Sequence, residues 1–211
     1  MKPDCCGCAW LLPPTAMFND RSSTISLLQS RRSGRPRDMV APGPTPDELA
    51  RILAVAARTP DHGKLAPWRF IHVPQDRRDA FARLLHRAYR LDNPAPTRLE
   101  LEAVERFARQ APELVIVLFS PVVPSKIPVW EQELSCGAAC MNLLTATHAL
   151  GYTGGWITGW AAYSQMVLRA LGAHGQERIA GFMFLGTPGA PQEERPRPDL
   201  TRVVREWSPG S

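Results

Sequence analysis

The distribution of proline constrains the fold of this chain more than any other feature of its sequence. All 21 prolines lie outside residues 129–187. An interior proline breaks or kinks a helix, and in a central strand it removes a ladder hydrogen bond. Residues 129–187 can therefore hold a long continuous helix and a central strand, whereas a bundle of long uninterrupted helices over the whole chain is excluded. The 211 residues are 44% hydrophobic, which suits one folded domain and excludes disorder throughout.

The pattern of apolar residues predicts an α+β fold, in which helices wrap a small mixed or antiparallel sheet of four to five strands. Helices are predicted from the capping residues 22–24 to Arg31, from Thr45 to before Pro60, and over residues 76–90, 98–110, 130–150 and 164–171. Strands are predicted over residues 68–73, 113–119 and 178–185, with a short strand or turn at 154–158 and a candidate edge strand at Val203–Val204.

Residues 1–20 are predicted to be a disordered leader, and residues 21–211 a single domain that ends in a Pro/Arg-rich tail. Met17 is an alternative candidate for the start of translation. Cys5 and Cys8 have the spacing of a zinc-ligand pair, but no second pair follows at zinc-site spacing, so no metal site is predicted.

The cysteines and the longest uncharged stretch bear on the location of the protein. Five cysteines, including Cys6, make a poor disulfide framework and indicate a reducing, cytoplasmic compartment. Residues 134–168 carry no Asp, Glu, Lys or Arg, which would allow a membrane span. The same stretch contains five glycines and several polar side chains, so a core helix followed by a strand is the prediction, with no membrane partner.

The positive charge comes mainly from arginine, with 22 Arg against three Lys and a net charge of +5. Its densest cluster is Arg31, Arg32, Arg35 and Arg37. Such a cluster can grip one phosphate group through forked hydrogen bonds. It could also serve a nucleic-acid-binding protein, together with the basic helix Arg77–Arg90. No recognition-helix or RNA-stacking motif supports that alternative.

Familiar motifs are absent: there is no P-loop, no G-x-G-x-x-G after a strand, no G-x-S-x-G and no H-E-x-x-H. Five segments stand out instead, in this order: RRS (31–33), RTPDHGKLAPW (58–68), WEQE (130–133), GYTGGW (151–156) and LGTP (185–188). From Ile25 to Pro188, this ordered set resembles the FMN-dependent nitroreductase superfamily, and in particular its short-form NAD(P)H nitroreductases.

The resemblance implies a homodimer that is joined through its long central helix and binds FMN at the interface. It assigns FMN contacts to Arg31, Arg32, Ser33, Arg58, His62, Trp156, Ile157 and Thr158. It assigns NAD(P)H contacts to Ala146, Thr147, His148, Ala149, Leu150 and Gly151. The sequence departs from the family pattern after Ser33, which leaves Arg35 as a further candidate phosphate contact. Ile157 stands where the family often has a polar residue, so a contact there would use its backbone.

FMN also suits the residues themselves. The arginine cluster fits a dianionic phosphate, Gly154 and Gly155 allow the backbone to approach a flat ring, and Lys64 or Arg58 could face its pyrimidine edge. Because the flavin carries the hydride chemistry, no catalytic side chain is predicted. The predicted activity is hydride transfer from NADH or NADPH through FMN, in ping-pong order, to a small acceptor such as a nitroaromatic or a quinone. Dehalogenation or flavin breakdown, known within the same superfamily, and nucleic-acid binding remain as alternatives.

Some polar residues have simpler interpretations. Glu131 and Glu133 are two residues apart and cannot share a helix face, so they are interpreted as helix-start charge rather than as an acid–base pair. His62 is either a flavin contact or an ordinary turn histidine after Asp61. Cys136 and Cys140 are interpreted as small core residues.

Overall fold

The computed structural model describes residues 18–209. The helices are α1 (Thr24–Ser30), α2 (Pro46–Ala56), α3 (Arg78–Asp92), α4 (Arg98–Arg109), α5 (Val129–Ala149), α6 (Trp160–Tyr163), α7 (Gln165–Ala170) and α8 (Leu200–Val203). The strands are β1 (Met39–Val40), β2 (Trp68–His72), β3 (Glu113–Phe119), β4 (Thr153–Ile157) and β5 (Arg178–Pro188). The Cys5–Cys8 spacing and Met17 lie outside the described residues.

The five strands form one antiparallel sheet around β5, in the order β1-β5-β3-β2, and β4 also pairs with β5. The predicted α+β class and strand number are confirmed. The predicted edge strand at Val203–Val204 is wrong, because Val203 ends helix α8 and both side chains are 62% exposed. The fifth strand is β1 instead, which pairs with Thr187 and Pro188 at the end of β5.

The sheet has a helical layer on each face. Alternate residues of β3 and β5 point to opposite faces, so Ile116 and Phe182 pack on the side of α3 and α4, while Val117 and Met183 pack on the side of α2 and α5. Both faces are therefore buried, which explains why β3 reads as an unbroken apolar run.

Helix α5 runs through the proline-free part of the chain, as predicted, and packs against α2, β4 and β5. Its other side faces outward, with Trp130 and Leu134 61% and 64% exposed. Cys136 and Cys140 are buried and free, in line with their interpretation as core residues. Among residues 18–209, no helix is both long and apolar enough to span a membrane.

An ion pair with a buried carboxylate joins β2 to the loop before β5. The Arg69 guanidinium donates two hydrogen bonds to the Glu177 carboxylate, at 2.6 and 2.7 Å, and the Glu177 side chain is only 3% exposed. The hydrogen bonding from Arg69 lowers the pKa of Glu177 from 4.5 to about 2, although burial acts in the opposite direction. The pair therefore stabilises the fold through the charged form of the carboxylate.

Glu177→Gln is expected to lower the free energy of unfolding by about 3 kcal/mol at neutral pH. Since the folded pKa lies below the unfolded one, the contribution is complete above about pH 5 and is lost as the pH falls towards about 2. Urea unfolding of both proteins at several pH values checks this. The control is Asp76→Asn, because Asp76 forms only an exposed pair with Arg77. A stability difference that stays constant down to about pH 3 would contradict the assignment.

Candidate functional site

The segment that follows α1 packs directly on β4. The backbone N–H of Gly34 donates to the carbonyl of Gly154 at 3.1 Å. A Cβ atom on Gly155 would lie 2.7 Å from the Gly34 carbonyl oxygen, so only glycine permits this approach. The structure thus brings the Arg31–Ser33 segment together with β4.

A cleft of about 200 Å³ opens between these two segments and the chain after β5. Its lining residues include Arg32, Ser33, Arg35, Thr153, Gly155, Trp156, Ile157, Gln192, Glu193 and Arg195. Trp156 is 38% exposed and its indole N–H donates to the Ala180 carbonyl at 2.9 Å. Thr158 follows on the exposed surface. The cleft therefore combines cationic and hydroxyl donors with the backbone of β4.

The third wall of the cleft consists of residues 190–193 and Arg195, which the sequence motifs had not assigned to the site. Gln192 donates to the Thr153 hydroxyl at 3.0 Å and accepts from the Asn19 amide at 3.0 Å. The Arg32 guanidinium donates to the Glu193 carbonyl at 2.6 Å. Asn19, from the end of the predicted leader, also accepts from the Arg32 backbone N–H at 2.9 Å. The only signal in the sequence was the Pro/Arg-rich composition of this tail.

Positive charge beside the cleft is incompletely neutralised. Arg31 is half-buried, donates to the Ser33 hydroxyl at 3.2 Å, and forms no ion pair with any residue in 18–209. Burial and the nearby Arg197 lower its pKa. Burial also lowers the pKa of Arg32, whose side chain is 11% exposed. A bound anion would relieve the unfavourable burial of both charges.

A second group of predicted site residues lies on a loop that is docked on α5. The Ser135 hydroxyl donates to the Pro60 carbonyl at 2.6 Å, and the Asn142 amide donates to the Thr59 hydroxyl at 2.8 Å. His62 Nδ1 lies 2.8 Å from Glu131 Oε2. These three partners share one face of α5. Arg58, His62 and Lys64 all point to the surface of the protomer.

The two groups lie near opposite ends of α5. His62 contacts Glu131 in the first turn of α5. Arg31 lies near the last turn, because its charge, as the second cause after burial, lowers the pKa of His148 there to about 4. Seventeen residues separate these two helix positions, which is about 25 Å along the axis. Within one protomer, therefore, His62 is not brought to the Arg31–Ser33 cleft, and Arg58 does not line it either.

The segment Ala146–Gly151 is largely internal. Thr147 and His148 are fully buried, Ala146 is 7% exposed, and only Ala149 and Gly151 reach the surface. Neither ring nitrogen of His148 has a hydrogen-bond partner in the described residues. The side chains of Thr147 and His148 thus have no path to a ligand outside the protein, and contacts of this segment are limited to its last residues.

The described residues contain no group of three or more His, Cys, Asp or Glu side chains that could hold a metal ion. The arginine helix of the alternative prediction is α3, and its exposed face includes Arg83, Arg87 and Arg90. Arg78 is 2% exposed and donates to four backbone carbonyls. It is therefore a structural residue and not part of a basic surface.

Comparisons with known proteins agree with the ordered motifs. The chain is 33% identical to "Putative NAD(P)H nitroreductase YdjA" of Escherichia coli (strain K12) over 167 residues, which is 78% of this chain and 87% of that protein. Among solved structures, a nitroreductase-like family protein from Bacillus cereus has a TM-score of 0.74 at 18% identity, covering 88% of this chain and 96% of that one. The Y88A mutant of NfnB, an FMN and NADPH-dependent nitroreductase from sphigopyxis sp. strain HMH, has a TM-score of 0.70 at 20% identity, covering 88% of this chain and 99% of that one.

The model of the Nitroreductase family matches residues 28–187 of this chain. This match covers most of the chain, and with it the cleft residues from Arg32 to Ile157, so the chain belongs to the nitroreductase family.

Proposed function

We propose that this protein is an FMN-dependent oxidoreductase that uses NADH or NADPH to reduce a small acceptor, such as a nitroaromatic or a quinone, in ping-pong order. Membership of the nitroreductase family supports the reaction class. When bound, FMN would supply the hydride chemistry, and the protein would supply binding, orientation and electrostatics. We also propose a cytoplasmic location, which the free thiols of Cys136 and Cys140 support.

The observation that carries the proposal is the half-buried Arg31, which has no anionic partner in residues 18–209. Together with Arg32 and Ser33, it would hold the FMN phosphate through charge-assisted hydrogen bonds. Arg35 and Arg195, which line the same cleft, add positive charge. Trp156 and the backbone of Ile157 and Thr158 would support the flavin ring. This cradle suits one phosphate ester better than a duplex, because Arg32 is nearly buried.

We propose that the complete site needs a second copy of the chain. The outward face of α5 carries Val129, Trp130 and Leu134, which are 39–64% exposed, and a Cβ atom on Gly137 would meet nothing within 4 Å. An apolar face with a small residue favours close packing of a partner helix. Two α5 helices related by a two-fold axis can run antiparallel. The partner's Arg58 and His62 would then approach the cleft beside Arg31, with Lys64 and Gly154 as further candidates near the ring.

Leu134→Arg is expected to raise the dissociation constant of the dimer at least about 100-fold and to weaken FMN retention with it. Because Leu134 is 64% exposed in the protomer, the variant chain should still fold. Light scattering after size-exclusion chromatography measures the oligomeric state. The control is Leu99→Arg on α4, where the leucine is 67% exposed but outside the proposed interface. A dimer that survives Leu134→Arg would contradict this interface.

The contact with the nicotinamide nucleotide is proposed for the accessible end of the segment, Ala149 and Gly151, with Leu150 half-buried between them. Both NADH and NADPH should be compared directly as hydride donors.

The experiment is to load the purified protein with FMN, record its visible spectrum, and add NADH or NADPH without oxygen. We expect a bound, coloured cofactor that bleaches on addition of one nucleotide and regains its colour on addition of a nitroaromatic or a quinone. Parallel double-reciprocal plots would support ping-pong order. A colourless protein that neither retains FMN nor oxidises either nucleotide would contradict the proposal. Bleaching without reoxidation by these acceptors would favour another flavin reaction of the superfamily.

A further inference from the structure

The contact between Glu131 and His62 fixes the position of one proton. Oε2 of Glu131 lies 2.8 Å from Nδ1 of His62. A carboxylate only accepts hydrogen bonds, so the proton must be on Nδ1. In the neutral ring, Nε2 then carries no proton and is the acceptor. The His62 side chain is 67% exposed, and no group in residues 18–209 bonds to this nitrogen.

The loop that carries His62 is held in a strained shape. Lys64 and Ala66 have positive φ angles of 57° and 48°, next to Gly63 at 80°. Non-glycine residues adopt this region only when their surroundings enforce it, and such strain clusters at ligand sites. Here Asp61 accepts from the Ala66 N–H at 2.7 Å, and Ser135 binds the Pro60 carbonyl. His62 is therefore presented from a rigid support.

The two carboxylates at the start of α5 have different partners. Glu131 faces His62, whereas Glu133 pairs with Arg178 at the start of β5. Glu131 lies in the first turn of α5, where its charge also favours the helix dipole, whereas Glu133 lies beyond that turn. Only Glu131 is in a position to select a histidine tautomer.

We propose that Glu131 is a positioning residue, which holds His62 in the Nδ1–H tautomer so that Nε2 accepts a hydrogen bond from an N–H group of the cofactor. This inference rests on the proposed function. The pyrimidine edge of a flavin carries one imide N–H between two carbonyl oxygens. In the Nδ1–H tautomer, the unprotonated Nε2 can accept a hydrogen bond from the imide N–H. In the opposite tautomer, Nε2 carries a proton and two N–H groups would face each other. Glu131 would thus decide whether the partner's His62 attracts or repels this donor.

The tautomer can be measured without an activity assay. The side-chain ¹⁵N chemical shifts of His62, recorded in the dimeric protein before FMN is added, report it directly. We expect the Nδ1–H tautomer in the wild type and in Glu131→Gln, because the glutamine oxygen still accepts from Nδ1. In Glu131→Leu we expect the His62 ring to lose its preference for the Nδ1–H tautomer, because leucine cannot accept a hydrogen bond. An Nε2–H ring in the wild type, or an unchanged ring in Glu131→Leu, would overturn the inference.

The second readout is the dissociation constant for FMN. Glu131→Leu should raise it about 10-fold, the usual worth of one hydrogen bond to a bound ligand, and Glu131→Gln should restore it to within about threefold. Ser135→Ala is the structural control, because it removes another anchor of the loop and should leave the His62 tautomer unchanged. A Glu131→Leu protein that binds FMN as tightly as the wild type would overturn the inference.

His62→Phe gives an independent check should Glu131→Leu fold poorly. It should weaken FMN binding about as much as Glu131→Leu, and the double variant should be no weaker than either, because both remove the same contact. Unchanged affinity in His62→Phe would overturn the inference. A wild type that binds no FMN would instead refute the proposed function. The ¹⁵N measurement is made without FMN, so it tests the tautomer of His62 independently of that function.

Discussion

Replacement of both Arg31 and Arg32 by alanine is expected to weaken FMN binding by at least about 100-fold. Each guanidinium would lose a charge-assisted contact to the phosphate, and such contacts contribute about 1.5–3 kcal/mol each. The fold should survive, because within residues 18–209 the Arg31 side chain makes one hydrogen bond, to Ser33, and that of Arg32 pairs only with the exposed tail at Glu193 and Glu194. The loss of two buried cations also relieves an unfavourable burial. Fluorescence titration of FMN measures the effect.

The matched control for this pair is Arg83→Ala with Arg87→Ala, which removes the same charge from the exposed face of α3. If long-range attraction alone holds the phosphate, both double variants should weaken binding equally and the loss should disappear in high salt. Equal affinities of the two double variants would therefore contradict a phosphate site at Arg31 and Arg32. Arg195→Ala should give a smaller loss, because Arg195 lines the cleft from the tail.

Arg78→Met is expected to lower the free energy of unfolding by about 3–5 kcal/mol, which is much of the stability of a domain of this size. The guanidinium donates at 2.8–3.2 Å to the carbonyls of Val73, Ala108, Gln110 and Pro112, and so joins the end of β2 to the loop before β3. Burial lowers its pKa to about 10, so it stays charged at neutral pH. Methionine would fill the space and remove this donor from all four carbonyls.

Thermal and urea unfolding of Arg78→Met and of the control Arg77→Met test this prediction. Arg77 precedes Arg78 but is 74% exposed and pairs only with Asp76, so its replacement should change stability by less than about 0.5 kcal/mol. Similar stabilities for the two variants would show that the buried guanidinium is not needed. The free energy of unfolding of Arg78→Lys should lie between those of Arg78→Met and Arg77→Met, because one ammonium group cannot reach all four carbonyls.

The sequence predicted the long elements of the fold because their apolar periodicity is strong. Helix α5 and strands β3 and β5 lie where the proline-free stretch and the apolar runs placed them. The two-residue strand β1 lies between Pro36 and Pro42 and is too short to show any period. The β-branched pair Val203–Val204 favoured a strand by composition, but no neighbouring strand is available there and the residues remain exposed.

The site was predictable only in part, for a physical reason. Arg32 and Ser33 meet Thr153, Gly155 and Ile157 in one cleft, beside Arg31, and the resemblance to the nitroreductase superfamily had placed these two motifs at one cofactor. Gln192 and Arg195 reach the same cleft through tertiary contacts of a proline-rich tail, which no local pattern encodes. The pairing of Glu131 with His62 joins residues 69 positions apart, so spacing alone could indicate only helix-start charge.

The central claim is that one FMN site uses residues of two protomers. It is tested most directly by co-expressing two inactive chains with different tags, one carrying Arg31→Ala and Arg32→Ala and the other Arg58→Ala and His62→Ala, and purifying the mixed dimer. If the site is shared, one of its two sites contains only wild-type residues, so the mixed dimer should bind about one FMN with wild-type affinity. If each protomer builds its own site, the mixed dimer should bind FMN no better than its parents, and that result would contradict the account.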